Sequence, residues 1–144
     1  MFKKILVAFD GSEASGRAFT TALDLAGKYQ ANMLLVSVIA DLPRYAEESM
    51  NGVDEMLEEG KQHFEGLQRA LIAKAEKAGI KITAQVLPGH VIETVVSIAE
   101  QEKADLIVLG GQGRTGTFRR VASLTGVQIA HHAPCAVLIM RKPS

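Results

Sequence analysis

The sequence predicts an α/β protein: a single open five-stranded parallel sheet with helices on both faces. Two observations carry this. Five short strand-like segments recur along the chain; Ile80 to Leu87 alternates, and the others are apolar runs too continuous for strands with one face in water. Segments with helical spacing of their apolar residues separate them, and strands that alternate with helices pair in parallel through right-handed crossovers. The 144 residues suit one domain, 1–144, with a sizeable core.

The first run, KKILVAF at 3–9, ends at Asp10-Gly11-Ser12 and reads as a strand and a turn. Ser12 is a natural N-cap, with an acidic residue just after it. The helix it opens places Ala18, Ala22, Leu25 and Ala26 on one face and ends near Tyr29. Asn32 to Ile39 is the second strand. Residues 40–52, ADLPRYAEESMNG, have no period and read as a polar loop long enough to serve as a lid. A long helix follows, with Val53, Leu57, Gly60, Phe64, Leu67, Leu71 and Ala75 as its inward stripe. It ends at Ala78-Gly79, with Lys74 and Lys77 suited to the dipole of its last turn. Ile80 to Leu87 is the third strand, Val91 to Gln101 the third helix and Asp105 to Leu109 the fourth strand. Ser123 to His131 is the fourth helix and Ala136 to Met140 the last strand.

Composition narrows the function. A formal net charge of +0 gives no general affinity for nucleic acid or an acidic membrane surface. Runs such as MLLVSVIA are too short to span a bilayer, and the N-terminus lacks a signal-peptide pattern. One cysteine excludes an internal disulfide. A cytoplasmic protein is the simplest expectation.

The chemistry concentrates at the ends of the strands, where ligands bind in open parallel sheets. After the fourth strand come four glycines within seven residues, GGQGRTG, at 110–116. Glycines allow close backbone approach, and amides near a helix start attract anions. Arg114, Arg119 and Arg120 add positive charge. No Gly-Lys-Ser/Thr follows, so this is not a Walker loop. Gly111 to Gly116 matches GxGxxG by letters but follows the wrong strand for a dinucleotide fingerprint. A plain glycine-rich turn with solvated arginines is the alternative.

KKILVAFDGSEAS, ADLIVLGGQGRTG and HHAPCAVLIM, in that order and spacing, resemble the universal stress protein family over nearly the whole chain. The resemblance implies a five-stranded parallel sheet and a homodimer paired through the last strand, Ala136 to Met140. Proline at Leu138 is expected to break that pairing.

One branch of the family binds ATP or related adenine nucleotides, which makes such a nucleotide, with Mg2+, the implied cofactor. Its signature is glycine, two residues, glycine, nine residues, glycine, then serine or threonine. Gly110 and Gly113 match the first pair, but Ser123 and Leu124 stand where Gly-Ser/Thr is expected. Leu124 cannot donate a side-chain hydrogen bond, worth about 1.5–3 kcal/mol to a charged group and so about one to two orders of magnitude in affinity. Ser123 is expected to cap the fourth helix with its amide still available.

The implied nucleotide contacts are Phe9, Asp10, Gly11, Val38, Leu109, Gly110, Gly113, Arg114, Gly116, Ser123, Leu124 and Thr125. Val38 would meet adenine. Asp10 would meet ribose, phosphate or a nucleotide-bound divalent ion, or else simply form an Asp-Gly turn.

The remaining candidates read more plainly. His131 and His132 suit a helix C-terminus, His63 a solvated helix face and Cys135 a small core position. His90, after Pro88-Gly89, alone among the histidines could reach a ligand. No paired carboxylates, Ser-His-Asp spacing or CxxC cluster marks a dedicated enzyme. Three readings remain: a nucleotide-binding regulatory protein, a dimeric stress-response protein that binds no nucleotide, and a slow ATPase.

Overall fold

A computed structural model describes residues 1–40, 50–111 and 117–141, with backbone only at 50, 51, 53 and 117–124. In chain order the elements are β1 (Lys4–Ala8), α1 (Glu13–Tyr29), β2 (Asn32–Ile39), α2 (Met50–Lys77), β3 (Ile82–Pro88), α3 (Val91–Gln101), β4 (Leu106–Gly110), α4 (Thr117–His132) and β5 (Ala136–Met140). The strands form one parallel sheet in the order β3-β2-β1-β4-β5. The chain builds outward from β1 to β3, then crosses to β4 on the other side of β1. The order therefore reverses between β1 and β4, which is where such sheets leave a crevice.

Alternation along β1 divides the core. Ile5, Val7 and Phe9 face α1 and α2, joined by Ala18, Phe19, Ala22, Met33, Leu35 and Val108. Leu6 faces α3 and α4, with Leu34, Val36, Val95, Ile98, Ile107, Leu109 and Ile129. Side chains one residue apart on a strand point to opposite faces, so a continuous apolar run fills both layers.

Several boundaries differ from expectation. The helix after the long connection begins at Met50, so residues 50–52 are helical and not loop; residues 41–49, Tyr45 among them, lie outside the described residues. Along α2 the expected stripe holds at Leu57, Gly60, Phe64, Leu71 and Ala75 and breaks at one place. Leu67 is 38% exposed, whereas Gln68 beside it is 2% exposed. Helix α4 begins at Thr117, six residues before the expected Ser123. No glycine or proline interrupts 117–125, so nothing in the sequence stops the helix from extending back to the last glycine of the loop. Ser123 is therefore inside the helix and does not cap it. Its N–H, like that of Leu124, sits in the helical ladder more than a turn from the free end.

Ser12 does cap α1: its Oγ accepts from the Ser15 amide at 3.1 Å. Asp105 falls just before β4 and ties it to β1. Its Oδ2 accepts from the amides of Lys3 and Lys4 at 2.8 and 3.0 Å, and its own amide donates to the Lys4 carbonyl at 2.9 Å. The two amide bonds hold the carboxyl below its ordinary pKa. A depressed folded pKa contributes stability above the unfolded value, lost as pH falls through the folded one. Asp105→Asn should thus lower the melting temperature at pH 7, and the gap from wild type should begin to narrow as pH falls below about 4. Thermal melts of both proteins from pH 7 to pH 3 check this.

Candidate functional site

Beyond Ala8, β1 leaves the sheet through a turn that the sequence sets locally. Asp10 Oδ1 accepts from the Ser12 amide at 2.9 Å, and Gly11 takes φ +88°, which L side chains rarely adopt. The turn-forming role of Asp10 is therefore real, and it leaves the residue exposed.

Across the crevice, β4 ends on Gly110. A Cβ built there would lie 2.6 Å from the Ala14 carbonyl carbon, 2.7 Å from Ala14 Cβ and 2.8 Å from the Ser15 amide nitrogen. The first glycine of the loop is thus required by the close approach of the start of α1. A Cβ on Gly111 would collide with Ile139 Cγ2, while the Gly111 amide donates to the Met140 carbonyl at 2.9 Å. Packing against the protein itself explains both glycines, a demand that the letters GG do not reveal.

Between these ends lies a cleft of about 80 Å3. The structure brings Phe9, Asp10, Val38, Leu109 and Gly110 together there with Ser12 of the same turn, and adds Ala8, Ser15, Val36, Val91 and Val95, which sequence reasoning missed. The apolar wall comes from β1, β2, β4 and α3, the polar rim from the β1–α1 turn. Ser15 Oγ donates to the Ser12 carbonyl at 2.9 Å and Ser12 Oγ to Ser15 Oγ at 3.2 Å. Among the described residues lining the cleft, Asp10 alone carries a formal charge. Val91 and Val95 are legible in retrospect as apolar residues one turn apart at the start of the helix that covers the crevice.

Other expected residues fall elsewhere. Gly11 forms the turn without lining the cleft. Thr125 lines a larger neighbouring groove of about 610 Å3 between α3 and α4, with His90, Glu93, Glu100, Gln128 and His132; Val91 borders both spaces. His90 is the N-cap residue of α3, and its side chain makes no capping bond. Gly113, Arg114 and Gly116 lie outside the described residues, and only the backbone of Ser123 and Leu124 is described. His63 is exposed and stacks edge-on with Phe64. Cys135 is half-buried against the α3/α4 core; burial, then the Asp105 charge, raises its thiol pKa, which disfavours the reactive thiolate. Among the described residues no group of three metal-ligating side chains occurs, and no helix is long and apolar enough to cross a membrane.

An apolar slot with a polar rim, set at the reversal of strand order, is suited to a flat heterocycle attached to a polar group. Comparison with known proteins points to one family. The universal stress protein family model matches residues 1–141. A universal stress protein of Methanocaldococcus jannaschii is 33% identical over 147 residues, covering 99% of this chain and 84% of that protein. The solved structure of universal stress protein UspA from Lactobacillus plantarum superposes with a TM-score of 0.87 at 27% identity, covering 97% and 98% of the two chains. Two more distant folds were solved with ligands. One is a universal stress protein in complex with cAMP, at TM-score 0.71 and 22% identity over 96% and 97% of the two chains. The other is a universal stress protein family protein from Arabidopsis thaliana with AMP bound, at TM-score 0.72 and 19% identity over 99% and 93%. From its sequence match along nearly its whole length and from its sheet order, this chain belongs to the universal stress protein family.

Proposed function

We propose that this protein is a regulatory protein of the stress response that binds an adenine nucleotide in the crevice between β1 and β4. The observation that carries the reading is the cleft itself: five of the expected contact residues, from three separate strand ends, line one apolar slot. The bound cAMP and AMP of the two distant relatives support the choice of adenine. The base would lie against Val38, Val36 and Leu109, with ribose toward Asp10 and the Ser12–Ser15 rim.

Ligand pockets commonly measure about 300–1000 Å3. The described walls therefore suit the base alone, and the phosphates would extend beyond them, toward the N-terminal end of α4. Mg2+ fits as a companion of those phosphates. It is commonly held by one or two carboxylates with phosphate oxygens and water, and Asp10 supplies one carboxylate. The absence of a hydroxyl at Leu124 favours AMP or weakly held ATP over strong ATP binding. Calorimetric titration with AMP, ADP and ATP, with and without magnesium, tests the reading. Saturable heat from any of them supports it, and none from all three would favour the nucleotide-free reading. Release of phosphate from ATP would favour the slow ATPase.

We also propose a cytoplasmic homodimer paired through β5, an edge strand in the sheet order. The register changes the test residue. Gly110 pairs with Met140 and the Gly111 amide donates to the Met140 carbonyl, so Ala136, Leu138 and Met140 direct their backbone groups to β4. Val137 and Ile139 direct theirs outward. Leu138→Pro would therefore damage the sheet itself, contrary to the expectation from sequence. Val137→Pro should convert a dimer to a folded monomer in sedimentation at micromolar concentration, whereas a monomeric wild type would refute the dimer.

A further inference from the structure

Two consecutive residues of α2 bear on the turn after β1, Leu67 directly and Gln68 through Ser37. Leu67 lies over Gly11: a Cβ built on Gly11 would be 3.0 Å from Leu67 Cδ1. Gln68 points into the core. Its Nε2 donates to Ser37 Oγ at 3.0 Å and to the Gln85 carbonyl at 3.3 Å. Ser37, 1% exposed, donates in turn to the Phe9 carbonyl at 2.7 Å. The regular β1–β2 pairing ends just before this point, with the Phe9 amide donating to the Val36 carbonyl at 2.9 Å.

A buried amide and hydroxyl cost stability unless they are bonded, and two aliphatic residues would fill such a space without that demand. What the polar pair adds is direction. The two acceptors of Nε2 fix how the amide is turned. Ser37 Oγ receives one hydrogen from Gln68 and gives its own to Phe9. The carbonyl held in this way belongs to the residue immediately before Asp10, where the strand has left its ladder and the rim of the cleft begins.

We propose that Gln68 and Ser37 are positioning residues of the cleft. They hold the Phe9 carbonyl so that Asp10 and the Gly11 turn face the ligand, with Leu67 fixing the turn from above. The proposal rests on the adenine-nucleotide reading for its ligand. It makes α2 the element through which the β1 side of the cleft is set.

The test uses the full chain, AMP as probe, and the variants Ser37→Ala, Gln68→Leu, their double, and Ile80→Ala. Ile80 is a core residue at the opposite end of the sheet and serves as a control for lost stability. Ser37→Ala and Gln68→Leu should each weaken AMP binding by about three- to tenfold at a temperature where every variant is folded. The double variant should be no weaker than the worse single, because the two act as one chain. Ile80→Ala should melt lower yet bind AMP within about twofold of wild type. Unchanged affinity in both single variants, or losses that follow melting temperature across all four, would overturn the assignment. If the wild type binds no AMP, the nucleotide reading itself fails only if ADP and ATP are not bound either, whereas the positioning claim is decided on the free protein. Faster exchange of the Ser12 amide in Ser37→Ala than in Ile80→Ala then upholds it, and equal exchange overturns it.

Discussion

Gly110→Ala should destabilise the protein by about 2–3 kcal/mol, roughly 6–12 °C in melting temperature, and abolish AMP binding. One added methyl has this effect because of what it meets. Two of the three nearest atoms are backbone, the Ala14 carbonyl carbon and the Ser15 amide nitrogen, and neither can rotate aside as a side chain would. Relief requires β4 and the start of α1 to separate, which moves the capped Ser12–Ser15 turn and the rim of the cleft with it. Gly66→Ala is the contrasting change. A Cβ there meets nothing within 4 Å, the site lies within α2, and alanine should stabilise by about 0.5–1 kcal/mol. Melting curves and AMP titrations of the two variants separate a packing demand from a general effect of replacing glycine.

Val38→Tyr should weaken AMP binding by about a hundredfold while lowering stability by less than about 1 kcal/mol. Val38 is only partly buried and its side chain lines the cleft at the open end of β2, so a larger ring extends into the slot without displacing the core. The ring would occupy the space assigned to adenine. Removing the apolar contact of a base corresponds to about 2–3 kcal/mol. Equal affinity in wild type and variant, with both folded, would move the base away from β2.

Legibility in the sequence followed the physics of each segment. The sheet was readable because both of its faces are covered, so KILVA, NMLLVSVI and LIVLG needed no alternation to declare themselves. The Ser12 cap was readable because a cap is a local hydrogen bond. Asp10, Val38, Leu109 and Gly110 were placed together by the rule that strand ends meet at the reversal of strand order, supplemented by family resemblance.

The errors fell where the deciding partner is distant in sequence. Gln68 is separated by 31 residues from Ser37, and its polarity argued for solvent while the stripe residues Phe64 and Leu71 on either side argued for the core. The need for glycine at 110 arises from Ala14, nearly a hundred residues earlier. The start of α4 was misplaced because Ser123 looked like a cap, although no glycine or proline between Thr117 and Ser123 opposes a helix.

The most direct test of nucleotide binding between β1 and β4 is a two-dimensional amide spectrum of the labelled full chain, recorded as AMP is added to saturation. The account predicts shifts concentrated at Asp10–Ser12, Val36–Val38 and Leu109–Gly111, with Ile80 and its neighbours at the far end of the sheet unmoved. Shifts centred instead on Glu93–Glu100 and Gln128–His132, or no shifts at millimolar AMP, would contradict it.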